Sequence, residues 1–133
     1  MRAREALMNP FRSLLRIHGL TEQEWRVIRS VSENGASDAS TISERCFISM
    51  PGLSRTLVSL ERKGLVRRKR DLEDQRRANI ALTKKGAHSF ELISPAILAV
   101  NATIAARMPS EKLDSLYKLL VELEQSVSDT TPV

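Results

Sequence analysis

Residues 49–68, SMPGLSRTLVSLERKGLVRR, predict a helix followed by the start of a β-strand. Ser49 and Pro51 suit the first turn of that helix, because a hydroxyl can cap backbone amides and a proline there loses no hydrogen bond. Leucines recur at helical spacing and predict one buried face: Leu53, Leu57 and Leu60. The residues between them are mostly small or basic, so the other face can approach a charged surface.

The flanking residues extend this helix into a helix-turn-helix with a β-hairpin. A shorter helix precedes it, and the polar residues 37–41 offer several N-caps among which the pattern does not choose. Two strand-like runs follow, at 65–68 and 79–82. The charged stretch between them predicts a solvated hairpin tip.

Two helices are predicted before this unit. Residues 3–17 predict an N-terminal helix that Pro10 interrupts and that ends at His18-Gly19. The sequence Thr21-Glu22-Gln23-Glu24 then has the pattern of a capping box, in which the two end residues bond each other's backbone amides. It begins a helix that ends at Asn34-Gly35.

Two long helices are predicted after the hairpin. One begins at Thr83-Lys84-Lys85-Gly86 and is bent at Pro95. The other begins at Pro109-Ser110, and its polar tail at 128–133 is expected to fray.

The fold class is therefore mainly α with a small β-hairpin. We expect a single domain over residues 1–133, with a winged helix-turn-helix lobe at 21–86. The remaining residues, 1–20 and 87–128, are expected to form a helical dimerisation region, because nothing else in a monomer would cover their apolar faces.

Basic residues concentrate at 62–85 in a chain whose net charge is +5. Ten Lys or Arg stand there against three acids, so the segment carries +7 and the rest of the chain −2. Lys and Arg gain free energy by displacing counterions from phosphates, so the pattern favours a nucleic-acid site. The alternative is a solvated charged surface without a partner.

The cysteine count and the apolar runs bear on location. Cys46 is the single cysteine, so an intrachain disulfide is excluded, in agreement with a reducing cytoplasm. No apolar run approaches the roughly 20 residues that cross a bilayer, and charges interrupt the N-terminal residues. We expect a cytoplasmic protein without a membrane span, a signal peptide or a membrane partner.

The helix at 49–63 can enter a major groove about 12 Å wide, where Arg55 could pair with guanine. The hairpin arginines can follow the phosphate backbone, and Arg76 or Arg77 at the tip can reach a minor groove, with Asp74 holding Arg76. An ordinary exposed hairpin is the alternative. The predicted DNA-binding residues are Ser49, Pro51, Gly52, Ser54, Arg55, Arg62, Arg68, Arg70, Arg76 and Arg77.

These stretches resemble the MarR family of winged-helix transcriptional regulators over nearly the whole chain. The similar segments are LTEQEWRVIRSV (20–31), SRTLVSLERKGLVRR (54–68) and DQRRANIALTKKG (74–86), the last being the most specific. HGLTEQEWRVIRSV is most similar to the branch that regulates homoprotocatechuate and related aromatic-acid catabolism.

The resemblance implies a homodimer that binds palindromic double-stranded DNA. The recognition helix would be 49–63 and the wing 66–82, with Arg76 as the minor-groove arginine. It also implies a dimer interface formed by Leu7, Phe11, Leu14, Leu113, Leu116, Leu120 and Leu123. The alternative is that these residues pack only on their own chain.

Regulators of this kind often respond to an aromatic acid, which needs a cation for its carboxylate and an apolar wall. The predicted ligand-binding residues, near the junction of the first two helices, are Arg16, His18, Trp25 and Arg29. The alternative is that Trp25 belongs to the core and the others to the surface. The expected function is a repressor released by such a ligand.

Other functions lack their residue patterns. Cys46 is expected to be buried and structural rather than oxidant-sensing. His18 and His88 have no companion ligands at metal-binding spacing, so neither a metal nor a cofactor is predicted. The chain has no phosphate loop or nucleophile motif, so an enzyme is not expected. An RNA-binding or protein-binding winged helix is the remaining alternative.

Overall fold

A computed structural model describes residues 2–70 and 78–130, which form six helices and three strands. The elements in chain order are α1 Arg2–Ile17, α2 Glu22–Asn34, β1 Ser37–Asp38, α3 Ala39–Cys46, α4 Met50–Arg62, β2 Val66–Arg70, β3 Ala78–Leu82, α5 Lys84–Ala106 and α6 Ser110–Thr130. The described chain divides into two compact units, one up to Ile97 and one from Leu98 onward. The mainly α fold with a small hairpin is confirmed.

The boundaries of α2 follow the predicted signals. The Glu24 amide donates to the Thr21 hydroxyl at 3.1 Å, and the Thr21 amide donates to the Glu24 carboxylate at 3.0 Å. Two amides that helix formation would otherwise leave unbonded are thereby satisfied. At the other end Gly35 takes a φ of 79°, a left-handed conformation that glycine adopts at low cost.

A turn through Phe47 joins α3 to α4. Asp38 is the N-cap of α3, because its carboxylate accepts from the Thr41 amide at 2.8 Å. Phe47 ends α3 with a φ of 53°, which reverses the chain direction. Ser49 then caps α4 by accepting from the Gly52 amide at 3.3 Å, and Pro51 lies in the first turn as predicted.

The sheet has three antiparallel strands in the order β1-β3-β2. Val66 pairs with Leu82 and Arg70 with Ala78, which confirms the predicted hairpin. The two-residue β1, which the sequence pattern did not predict, pairs Ser37 with Ile80 on the other edge of β3. The wing is thus attached to the residues just before α3 through β3, the middle strand of the sheet.

The start of α5 packs closely on the end of the recognition region. Thr83 caps this helix, because its hydroxyl accepts from the Gly86 amide at 3.0 Å. A Cβ at Gly86 would overlap the carbonyl oxygen of Leu65, so only glycine allows this approach. The Leu-Thr-x-x-Gly pattern therefore fixes the hairpin against α5.

The first unit has a continuous apolar core. Side chains from five helices and from the sheet meet in it with less than 2% of their surface exposed. The largest of them are Leu15, Ile28, Ile42, Leu53, Leu57, Leu60, Ile80 and Ile93.

Three details of the outer helices differ from expectation. Helix α1 runs unbroken through Pro10, so the predicted interruption is wrong, although a proline at this interior position has no amide to donate to the preceding turn. Helix α6 continues to Thr130, so the fraying predicted from Ser128 is wrong for 128–130. Helix α5 is long and apolar enough, by length and composition alone, to cross a membrane, although only 6% of that stretch is buried. Polar residues such as Glu91 and Asn101 interrupt its apolar runs, whereas the average over the helix remains apolar.

Candidate nucleic-acid interface

Helix α4 has one sealed face and one open face. Leu53, Leu57 and Leu60 are no more than 1% exposed, so the helix is fixed to the core as predicted. On the open face Ser54 and Arg55 are exposed near the N-terminal end. A helix held in this way presents a hydroxyl and a guanidinium, which can both bond base edges or phosphates.

Gly52 does not belong to that open face. It is buried, and a Cβ there would lie 3.3 Å from Ile48 and 3.1 Å from the Ser49 hydroxyl. Gly52, which is among the predicted DNA-binding residues, therefore does not face outward, because the turn before α4 folds back over this position. The absence of a side chain at Gly52 lets the turn pack closely on α4. Ser49, Pro51 and Arg62 are exposed.

The first strand of the wing, β2, is basic. Val66 is buried and anchors β2, whereas the four residues from Arg67 to Arg70 are exposed. Arg68 donates from Nε to the Glu61 carboxylate at 2.6 Å, which ties the strand to α4. The predicted tip contacts Arg76 and Arg77, with Asp74, lie outside the described residues.

A buried carboxylate connects α4 to α2. Glu24 is 3% exposed, and its oxygens accept from Lys63 Nζ at 2.8 and 3.0 Å and from the Ser59 hydroxyl at 2.5 Å. Burial raises the pKa of Glu24, but the bonds from Lys63, Ser59 and the Thr21 amide outweigh burial and hold the pKa below its usual value. This anchor fixes the C-terminal end of α4.

The predicted ligand-binding residues do not share one cavity. Arg16 is exposed and lines a cavity of about 350 Å³ between α1 and α2. Arg29 lines another, on α2 and α3, and its Nε donates to Glu33 at 3.1 Å. Trp25 is 7% exposed and stacks on Phe90 at a centroid distance of 5.6 Å, so it forms part of the core wall. His18 is half-buried at the end of α1.

The predicted dimer-interface residues are largely exposed in the single chain. In α1, Leu7 is 49% exposed, and Phe11 and Leu14 are half-buried. In α6, Leu116, Leu120 and Leu123 are 43–59% exposed, and Leu113 is half-buried. Both helices therefore carry apolar surface that their own chain leaves uncovered.

Comparison with known proteins gives a consistent assignment. Residues 18–77 match the MarR family. The homoprotocatechuate degradative operon repressor of Escherichia coli is 37% identical over 92% of this chain and 82% of its own length. The transcriptional regulator FarR of Neisseria gonorrhoeae is also 37% identical, over 92% of this chain and 84% of its own. NadR, solved in complex with 4-hydroxyphenylacetate, is 38% identical with a TM-score of 0.75, covering 92% and 86% of the two chains.

This chain belongs to the MarR family. The family comprises transcriptional regulators, which are not enzymes. The predicted resemblance, fold and regulatory function are therefore confirmed.

Sequence reasoning missed two structural parts of this MarR-family lobe. The Glu24–Lys63 anchor joins residues that are 39 positions apart in the sequence. The sequence pattern revealed only the capping-box bond of Glu24 to Thr21, which is three positions away. The groove that Arg29 shares with α3 was also missed, because its residues come from two helices whose packing the periodicity does not specify.

Proposed function

We propose that this MarR-family regulator is a cytoplasmic, homodimeric repressor that binds a palindromic duplex and is released by a small aromatic acid. The observation that carries the DNA-binding step is the two-faced helix α4, sealed on its leucine side and open at Ser54 and Arg55. The basic strand β2, with its four exposed residues at 67–70, supplies a phosphate-binding surface in the same lobe. The two surfaces separate base recognition from backbone binding.

The residue contacts are proposed by position. Ser49, Pro51, Ser54, Arg55 and Arg62 would meet the major groove or its phosphates, whereas Arg68 and Arg70 would follow the backbone. Arg76 and Arg77 would reach the adjoining groove from the wing tip.

Fluorescence anisotropy across a salt series tests this division of roles. Arg55→Ala should cost about 1–3 kcal/mol at particular base pairs, because one direct base contact is lost. Arg76→Ala should weaken binding to all duplexes and reduce the salt slope by about one. Arg107→Ala, an exposed arginine outside the lobe, is the control. Unchanged affinity in both test variants would contradict the assignment.

The homodimer is supported by the uncovered apolar residues of α1 and α6. A monomer would leave them in contact with water, and a two-fold partner would bury them. A palindromic site follows, because two identical recognition helices related by a two-fold axis read inverted half-sites. Partner contacts would also cover the apolar surface of α5, which explains that surface without a membrane.

The aromatic-acid effector is supported by the relatives and by the α1–α2 region. One relative is named for homoprotocatechuate degradation, and NadR was solved with 4-hydroxyphenylacetate. Trp25 and Arg29 lie one turn apart on α2, but Trp25 is buried against Phe90 whereas Arg29 is exposed, so the effector would have to reach the ring of Trp25 through the core wall. Arg16 and His18 offer further polar groups from the end of α1.

Displacement of the duplex by 4-hydroxyphenylacetate tests the effector. The acid should lower the affinity for DNA, whereas 4-hydroxyphenylacetamide, its neutral analogue, should not. Arg29→Gln and Arg16→Gln should each be compared with wild type, and at least one should abolish the response without changing DNA affinity in the absence of the acid. A response that survives in both variants would contradict the proposed residues.

A further inference from the structure

We propose that helix α4 and the turn before it recognise the methyl groups of thymine bases, through the exposed apolar side chains of Phe47, Met50 and Val58. The inference rests on the proposed DNA-binding function and deepens it, because it names bases that the duplex must carry. Among the four unmodified bases, thymine alone presents a methyl group in the major groove. It can therefore be recognised by apolar contact as well as by hydrogen bonds.

The winged lobe exposes large apolar side chains in one place. Among the described lobe residues, 21–70 and 78–86, those side chains are Phe47, Met50 and Val58, which are 86%, 47% and 49% exposed. The other exposed large hydrophobic residues lie in α1, in α5, in α6 or in the turn before α6, where the proposed dimer would cover them. Single exposed apolar residues are ordinary, but a group confined to the recognition segment indicates a contact surface.

Met50 and Val58 lie along the open face of α4. Residues four positions apart lie on one side of a helix, so Met50, Ser54 and Val58 form one exposed stripe. A rise of about 1.5 Å per residue places the two apolar ends of this stripe about 12 Å apart along the helix axis. That length corresponds to roughly three or four base pairs of about 3.4 Å each. One recognition helix can therefore contact two thymines in a single half-site.

Polar and basic side chains accompany the apolar ones on α4. Ser54 and Arg55 are exposed between Met50 and Val58. Arg62 is exposed one turn beyond Val58. A duplex offers base edges and phosphates to the polar groups and methyl groups to the apolar ones. An apolar protein partner would instead cover the guanidinium groups without bonding them, which is unfavourable. We expect half-sites with A·T pairs on both sides of a G·C pair that faces Arg55.

Phe47 extends the apolar surface beyond the start of α4. Its φ of 53° and ψ of 44° are left-handed, a conformation that is unfavourable for an aromatic residue. Its ring is also the most exposed of the large hydrophobic side chains described. Backbone strain of this kind is concentrated at functional positions. Phe47 precedes Met50 by three positions, so it can contact the methyl group or the sugar beside the base that Met50 recognises.

Replacement of single thymines by uracil tests the inference, because uracil lacks the methyl group and keeps the hydrogen-bonding groups of thymine. The probe is a duplex that the wild-type protein selects from a random pool, and fluorescence anisotropy measures its affinity. At two positions in each half-site, uracil should lower the affinity about fourfold, the contribution of one buried methyl group. At thymines outside the half-sites, uracil should have no effect.

Variants assign each methyl contact to a side chain. In Met50→Ala and Val58→Ala the preference for thymine over uracil should disappear at one position each. Phe47→Asn, which keeps a residue suited to the left-handed turn, should weaken the preference at the position that Met50 recognises. All three side chains are exposed, so the unfolding midpoints should not fall. Arg55→Ala is the matched control, because it should lower the affinity for the duplex and retain both thymine preferences.

Three results would overturn the inference, and they separate its failure from that of the proposed function. If Arg55→Ala lowers the affinity but uracil is tolerated at every position, DNA binding stands and methyl recognition is wrong. If no variant, Arg55→Ala included, changes the affinity, the proposed function fails as well. If Met50→Ala or Phe47→Asn changes the number of associated chains in sedimentation and leaves the thymine preference intact, a protein chain covers this face instead.

Discussion

The winged lobe and helix α6 use their leucines in opposite ways. In the lobe, the leucines of α4 are no more than 1% exposed within their own chain. Helix α6 has none of its residues buried, and Leu119, Leu120 and Leu123 are half or more exposed. Both helices are amphipathic, so the sequence pattern alone does not distinguish them. The lobe therefore completes its own core, whereas the leucines of α6 stay exposed in the single chain, as the proposed dimer would require.

The largest effect is expected from a cavity in the lobe. Leu57→Ala should lower the free energy of unfolding by about 2–5 kcal/mol, because it removes a fully buried side chain. Val58→Ala, at a neighbouring position that is 49% exposed, should change it by about 0.5 kcal/mol or less. Urea denaturation measures both. If both variants lost the same free energy of unfolding, the two faces of α4 would not differ in burial.

A charge on α6 should separate the chains without unfolding the lobe. Leu120→Glu places a carboxylate in the proposed dimer interface, where it would be buried without a partner. Sedimentation equilibrium should show two chains for wild type and one for the variant, with the lobe's unfolding midpoint unchanged at low protein concentration. Lys118→Glu alters charge on an exposed position of the same helix and is the control. A variant that remains dimeric would mean that α6 is covered differently.

The Glu24 anchor should make the lobe sensitive to acid. Its pKa is lowered in the folded state, so the stability that its ionised form provides is present above the unfolded pKa of about 4.3. That stability is lost as the pH falls through the folded value. Glu24→Gln should therefore lower stability at neutral pH and flatten its dependence on pH below that point. Urea titrations at several acidic pH values measure this, with Glu111→Gln in α6 as control. Parallel pH curves for wild type and Glu24→Gln would contradict the anchor.

The smallest effect is expected at the junction of α4 with the wing. Glu61 holds Arg68 at 2.6 Å, and both side chains are partly exposed. Glu61→Gln removes a negative charge near the phosphates and frees Arg68, so DNA affinity should rise a few-fold at low salt. The gain should shrink at high salt in an anisotropy series. A loss of affinity would mean that the ion pair positions Arg68 for binding.

Local signals in the sequence predict most of the lobe. The capping box at Thr21, the glycine after Asn34 and the Ser49 cap each depend on residues within four positions of one another, and all three lie where predicted. The leucine face of α4 follows from helical period. These features are local, so no knowledge of the tertiary fold is needed.

The remaining features depend on contacts between distant residues. Strand β1 has two residues, too few for any periodicity, and exists because β3 offers it an edge. Gly52 is buried because the turn through Phe47 folds over it, which composition does not reveal. The α2–α3 groove likewise depends on how two helices meet. Sequence therefore predicts the recognition helix better than the surfaces around it.

Hydroxyl-radical footprinting on a duplex selected from a random pool tests the central claim most directly. Two recognition helices related by a two-fold axis should protect two patches centred about 10 base pairs apart on one face of the DNA. Arg55→Ala should weaken both patches equally. A single protected patch, or uniform protection of unrelated duplexes, would contradict the account.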